Sequence, residues 1–301
     1  MAEPQNAVQR LLTLRRFPGL DDAALDELAI ISENVVEQTF APGAIVVPAT
    51  RAAPLHLVVE GQLATESGQT WGPHQVVGAL EAMSRRRTRE PIVAKLETKT
   101  MRLTAADFRE ILEDNFGLLS SVRRSLAGAL LDDPAAIRNA PVRAPIEVPD
   151  GTLGMVDRLI ILRRYMPFGK GRIEALAALA QASEEVRLPA KTQVATAGDP
   201  AANVLVLLEG TVHGTRDGVT YVLGAGHSPG ALETLADVPH AATMSTLTPI
   251  RALRFPAAAL FDVLEDHTDL ALAMVESLAS ALVDREREQN ARPQPDRPHV
   301  N

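Results

Sequence analysis

A chain of 301 residues, 46% hydrophobic and 23% charged, has the length of two ordinary domains and the composition of a globular protein. The absence of cysteine excludes disulfides, thiol catalysis and thiolate metal sites, and a formal net charge of -8 argues against broad binding to nucleic acid or anionic membrane. No apolar run reaches the roughly 18 residues of a membrane span, and the polar start MAEPQNAVQR lacks a signal-peptide core, so a cytoplasmic location is expected.

Taken in chain order, Leu14-Arg15-Arg16-Phe17 leads into DDAALDELAII, where Leu25, Leu28 and Ala29 share one helical face. Phe40-Ala41-Pro42 then opens a series of short β-rich runs, among them the strand-like VVEGQL with its Glu60-Gly61 pair, and a hairpin turn is expected at Ser67-Gly68. Gly78-Ala79-Leu80-Glu81 and the run Ser84-Arg85-Arg86-Arg87-Thr88-Arg89 follow, and FREILEDNFGLLSSVRRSLAGALL reads as helix. Pro134, Pro141, Pro145 and Pro149 favour an extended linker next.

The series then starts again. Leu162-Arg163-Arg164-Tyr165 lies 148 positions after its counterpart, and Glu209-Gly210 lies 149 after Glu60-Gly61. Asp217-Gly218 follows Ser67-Gly68 by 150, and Gly230-Ala231-Leu232-Glu233 follows its match by 152. The offset changes only between strand-like pieces, where surface loops tolerate insertions. LFDVLEDHTDLALAMVESLASALVDREREQ closes the second copy with helix, and the tail NARPQPDRPHVN reads as disordered. The expected fold is mainly β with flanking helices: two tandem double-sheet jelly rolls, each with an N-terminal helix and C-terminal helices. The division is residues 1–131, a Pro-rich linker over 132–154, a second unit over 155–289 and a tail over 290–301, with few contacts expected across the linker.

The second copy, with LPAKTQVATAGDPAANVLVLLEGTV, SPGALETLADVPHAAT and LTPIRALRF in that order, resembles the cyclic-nucleotide-binding domains of catabolite activator proteins and protein kinase A regulatory subunits. That family's phosphate-binding cassette reads Gly-Glu-Leu-Ala, then Pro-Arg-Ala-Ala-Thr. Gly230, Leu232, Leu235, Pro239, Ala241, Ala242 and Thr243 fall in register with it. The resemblance implies that the cassette Glu would hold the ribose 2′-hydroxyl and the cassette Arg the cyclic phosphate. Those positions are Ala231 and His240 in the second copy, and Ala79 and Thr88 in the first, beside Gly78 and Leu80. An Arg fork gives phosphate two charge-assisted bonds and a neutral His at most one. Losing both anchors would cost several kcal/mol at about 1.5–3 kcal/mol each, so cAMP and cGMP are not expected as ligands.

Other signals have plainer readings. Arg85, Arg86, Arg87 and Arg89 could supply an anion contact beside Thr88, or be a solvated basic loop. Gly226-His227-Ser228-Pro229-Gly230 matches a nucleophile elbow but falls in the loop into the cassette, so no catalytic residue is assigned. The seven histidines show no metal-ligand spacing, so no metal or cofactor is expected; His56 and His213 read as half-exposed sheet residues. Val275, Leu278 and Leu282 lie on one face of the last helix, either packed on its own β-roll or forming a homodimer seam. No helix-turn-helix follows that helix, which argues against a transcription factor. The expectation is a non-enzymatic regulatory or scaffolding protein with an unidentified protein partner. The alternative is a sensor for an anionic small molecule.

Overall fold

The structure is a computed structural model, and it describes residues 7–21, 23–50, 53–132, 147–165 and 168–291, the last three by backbone alone. Most of the expected linker and all but the first two residues of the expected tail lie outside these. The first unit opens with α1 (Ala7–Leu14) and α2 (Leu25–Asn34). The Glu27 carboxylate accepts the Ala24 N–H at 3.0 Å, satisfying one orphan donor at the start of α2. Strands β1 (Val36–Phe40), β2 (Ile45–Val47), β3 (Leu55–Glu60), β4 (Leu63–Ala64), β5 (Thr70–Trp71) and β6 (Val76–Val77) lead to the short helix α3 (Ala79–Ser84). Strands β7 (Ile92–Ala94) and β8 (Thr98–Leu103) complete the roll, and α4 (Ala105–Asp114) and α5 (Phe116–Leu131) close the unit. Thr104 caps α4, its hydroxyl oxygen accepting the Asp107 N–H at 3.1 Å.

The second unit repeats the plan. It runs α6 (Met155–Arg164), a 3-10 turn at Phe168–Lys170, α7 (Ile173–Ala182), β9 (Glu184–Leu188), β10 (Gln193–Ala195), β11 (Asn203–Glu209), β12 (Val212–Arg216) and β13 (Val219–Leu223). Then come α8 (Ala231–Ala236), β14 (Thr243–Thr246), β15 (Ile250–Pro256), α9 (Ala257–Asp266) and α10 (Thr268–Ala291). In the first unit the sheets are ordered β1-β8-β3-β6 and β2-β7-β4-β5; in the second, β11-β15-β9 and β10-β14-β12-β13. All pairings are antiparallel. The fold is two tandem jelly rolls flanked by helices. Even side-chain bonds recur: Arg10 donates to the Ser32 carbonyl and Arg158 to the Ala180 carbonyl, both at 3.2 Å and 148 residues apart.

The apolar strands are buried on both faces. In β11, Leu205 and Leu207 point into the space between the two sheets, while Val204, Val206 and Leu208 point toward the helices. That is why VLVLL reads as an unbroken apolar run rather than an alternating one. The Glu-Gly pairs mark the sharp turn that follows: Gly61 and Gly210 have φ of 91° and 80°, and a Cβ would stand 2.4 Å from the Glu97 carbonyl oxygen and 2.2 Å from that of Pro249. His56 departs from expectation. It is only 1% exposed, its Nδ1 2.9 Å from the Thr100 hydroxyl and its Nε2 unpaired among the described residues.

The helices correct two further expectations. Helix α10 does not pack chiefly on its own roll; it lies on α5 and on α3 of the first unit, while α5 lies on α8 of the second. Val275, Leu278 and Leu282 are therefore covered within one chain rather than presented on its surface, being 2%, 7% and 9% exposed. Nor are contacts across the linker few. One apolar cluster runs from Leu14 and Leu28 of the first unit through α5 to Phe255 and Leu282 of the second.

Candidate functional site

Each roll enters its cassette helix through a left-handed glycine. Gly78 before α3 has φ 81° and Gly230 before α8 has φ 76°. A Cβ at Gly78 would meet the Pro54 carbonyl oxygen at 2.9 Å, and one at Gly230 would meet the His240 ring at 2.6 Å. Only glycine fits either corner.

In the second unit the residue expected at the phosphate position packs back on the cassette glycine. The His240 ring lies on Gly230 at the start of α8. Its backbone is pinned by Gly198 N–H to His240 O and His240 N–H to Asp199 O, each 2.9 Å. Its Nδ1 is buried and lacks a partner among the described residues. Ala231 and Leu232 are half-buried on α8, and Glu233, one place further, is 4% exposed and accepts the Ala241 N–H at 3.4 Å. The Tyr221 ring covers Gly214, and burial, then the Glu233 charge, pushes its hydroxyl up to about 12. Ala242 is fully buried between the sheets, Pro239 is exposed, and the Thr243 hydroxyl oxygen accepts the Ala197 N–H at 3.1 Å. Ser228 of the elbow motif pairs with the Tyr165 hydroxyl at 2.9 Å, and His227 turns to the Gly224 carbonyl at 3.0 Å, so neither is set against the other as nucleophile and base.

In the first unit the cassette borders a cleft of about 140 Å³, below the roughly 300 Å³ at which ligand pockets begin. Ala79 and Leu80 line it from α3, and Trp71 from β5. Thr88 is buried, and its hydroxyl donates to the Pro48 carbonyl at 3.1 Å. The basic run divides. Arg87 and Arg89 face the cleft, Arg87 also donating to the Ala49 carbonyl at 3.2 Å. Arg85 and Arg86 do not share that role. Arg85 is the exposed, left-handed residue that ends α3, and Arg86 forks onto the Asp284 carboxylate of α10. Acids oppose the remaining cations. Glu81 lies in the cleft and is raised by burial, against a lowering by its own backbone and by Arg287. Glu286 stands on the rim and is raised too, by partial burial first and then by the Glu81 charge. Glu90 is held below the usual range chiefly by the Ser67 hydroxyl.

The roof of this cleft was not legible beforehand. Val283, Glu286 and Arg287 reach it from the last helix of the other unit, and Arg287 donates to the Arg87 carbonyl at 3.3 Å. Glu81 and Glu233 did leave a signal: Gly-Ala-Leu-Glu is the cassette's Gly-Glu-Leu-Ala with the acid moved to the end. Among the described residues, no cluster of three His, Asp or Glu could hold a metal, and no helix is long and apolar enough to cross a membrane.

A double-sheet roll with a glycine-entered cassette helix and closing helices is the architecture both units share. The family model of the cyclic nucleotide-binding domain matches residues 185–267, the whole second roll with α9. That stretch is a cyclic nucleotide-binding domain, and the first unit repeats its strands and cassette in tandem. No curated protein matches the chain. Among solved structures, a regulatory subunit of a cAMP-independent protein kinase A from Trypanosoma brucei is similar at 14% identity, over 97% of this chain and 94% of that one, with a TM-score of 0.37. The regulatory domain of Toxoplasma gondii protein kinase A is similar at 13%, over 95% and 99%, with a TM-score of 0.37. The sensor domain of the transcriptional regulator DNR from Pseudomonas aeruginosa is similar at 27%, over 42% of this chain and 95% of that one, with a TM-score of 0.39. Likeness at this level adds nothing to what the chain's own sheets and cassettes show.

Proposed function

We propose that this is a cytoplasmic, non-enzymatic regulatory or scaffolding protein whose two cassettes no longer hold cyclic nucleotides, and which acts through contact with another protein. The observation that carries the reading is the state of the two phosphate positions. His240 is folded onto Gly230, and Thr88 spends its hydroxyl on the Pro48 carbonyl. Neither leaves a guanidinium aimed at a phosphate, and Ala79 and Ala231 leave no carboxylate for a ribose. Titration calorimetry with cAMP and cGMP tests it: no heat of binding is expected below about millimolar concentration. Micromolar binding of either would reject the reading outright.

One observation favours a second reading. Arg87, Arg89 and Arg287 border a single cleft, so an anionic small molecule could bind there through residues the family does not use. Glu81, Glu90 and Glu286 share that border and balance the charge. On this reading nucleotides or inorganic phosphate should raise the melting temperature at low salt, and Arg87→Ser with Arg89→Ser should remove the effect. A flat response of the wild-type protein to both ligands ends it.

A further inference from the structure

Six large apolar side chains are exposed on the N-terminal helices of the two units, and they are the same positions twice. Val8, Leu12 and Leu25 of the first unit correspond, 148 residues on, to Val156, Ile160 and Ile173 of the second. All six are between 46% and 68% exposed. The inward faces of the same helices are filled normally, with Leu14 and Leu28 matching Leu162 and Leu176, all at 0% exposure. Val156 and Ile160 stand one helical turn apart on the outer face. A solvated helix face gains nothing from apolar residues at fixed places. Their presence in both copies points to a surface that something covers.

The two surfaces differ in charge. In the second unit, Ile160 and Ile173 line an open groove of about 730 Å³ between α6 and α7, with Arg163, Arg164, Lys170 and Arg172 around it and Glu174 as the acid on its lining. Lys170 is paired with Glu276 at 2.6 Å, and Arg163 donates to the Gly171 carbonyl at 3.1 Å. The guanidiniums of Arg164 and Arg172 have no acceptor among the described residues and stand in solvent. The first unit keeps Arg15 and Arg16 but has Asp21, Asp22 and Ala24 where the second has Gly169, Lys170 and Arg172. An open apolar groove rimmed by cations, on a chain of net charge -8, is complementary to an acidic amphipathic segment.

We propose that the groove between α6 and α7 docks an acidic, amphipathic segment of a partner protein, its apolar side chains on Ile160 and Ile173 and its carboxylates on Arg164 and Arg172. This deepens the reading of the protein as one that acts by protein contact. An anionic bilayer is the poorer fit, because the rest of the chain is acidic and would be repelled by it.

The test is selection of a phage-displayed random peptide library on the full-length protein, counter-selected on the Ile160→Glu plus Ile173→Glu variant. Both residues are exposed, so the variant should keep the wild-type melting temperature. Peptides rich in Asp and Glu, with apolar residues three or four apart, are expected to emerge. Synthesised and followed by fluorescence anisotropy, they should lose at least about tenfold in affinity for that variant. A similar loss is expected for Arg164→Glu with Arg172→Glu, shrinking at high salt. Leu12→Glu with Leu25→Glu should cost less. Basic peptides, or peptides that bind wild type and variant equally, overturn the proposal. So does sedimentation of the protein with vesicles containing about a third phosphatidylglycerol. Self-association in light scattering that the Ile160→Glu plus Ile173→Glu change abolishes would assign the groove to a second copy. Calorimetry with cAMP reads the cassettes and this selection reads the groove, so each can fail alone.

Discussion

His56 and Arg251 show how single buried groups tie this fold to pH. Burial, helped by the Arg102 charge, lowers the His56 imidazole from 6.5 to about 4. The unfolded chain therefore binds a proton that the folded chain refuses, and stability present above pH 6.5 is lost as pH falls through about 4. At roughly 1.4 kcal/mol per unit the loss is about 3 kcal/mol. Urea unfolding of His56→Asn at pH 7.5 and 4.5 should show a much smaller difference than the wild type; equal differences would remove His56 as the cause. Arg251 sits at the junction where the chain enters the second roll. It binds Glu185 at 2.8 Å, Glu209 at 3.1 Å and the carbonyls of Pro149 and Gly151. Burial alone would raise Glu185, but Arg251, the Leu153 N–H and Arg187 hold it down at about 2. Its share of stability is thus present above the ordinary carboxylate range and fades as pH drops toward 2. Removing one partner leaves a buried charge alone, so Arg251→Met should cost about 3–5 kcal/mol in chemical denaturation, much of it regained by adding Glu185→Leu. No recovery in the double variant would mean that the lost carbonyl bonds, not the stranded carboxylate, dominate.

Helix α10 makes the opposite case for exposed contacts. Its rim pair, Asp284 with Arg86, is half in solvent, and Asp284→Ala should cost no more than about 1 kcal/mol. Val275→Asp with Leu282→Asp puts two carboxylates into the buried face of α10 and should cost several kcal/mol. The melting temperature should collapse with no change in the oligomeric state that light scattering reports for the folded protein. A stable variant that merely passes from dimer to monomer would return the helix to an intermolecular role. The sequence showed that this helix had a buried face, because the spacing of Ala271, Val275, Leu278 and Leu282 is local information. It could not say which helix meets that face, since the partner lies on the other unit and no local rule reaches so far. The rolls were legible for the converse reason. The Ser67-Gly68 and Asp217-Gly218 hairpins, the short apolar strands and each glycine before a cassette helix are fixed within a few residues, whereas the sharp turn at each Glu-Gly pair was hidden inside a strand-like run. His56 was misread because a strand buried on both faces has no outward side for a polar residue to mark.

At the scale of the whole molecule, the crossing of α5 and α10 joins the two units through one shared apolar cluster. A protease site built between Asp132 and Glu147 and then cut should leave two fragments that co-elute in gel filtration and part only in denaturant. Separation in plain buffer would show that the shared cluster from Leu14 to Leu282 is too weak to hold them. The same crossing is reciprocal: each unit's last helix covers the other's cassette helix. In a homodimer of that geometry, symmetry forces both sites to change with every mutation, because one gene writes both. Here each site has its own codons. Arginines gather beside Thr88 while a proline and a histidine stand at the matching place, and neither change is imposed on the other half. The molecule keeps the mechanical closure of a two-fold pair and is free to be different on its two sides.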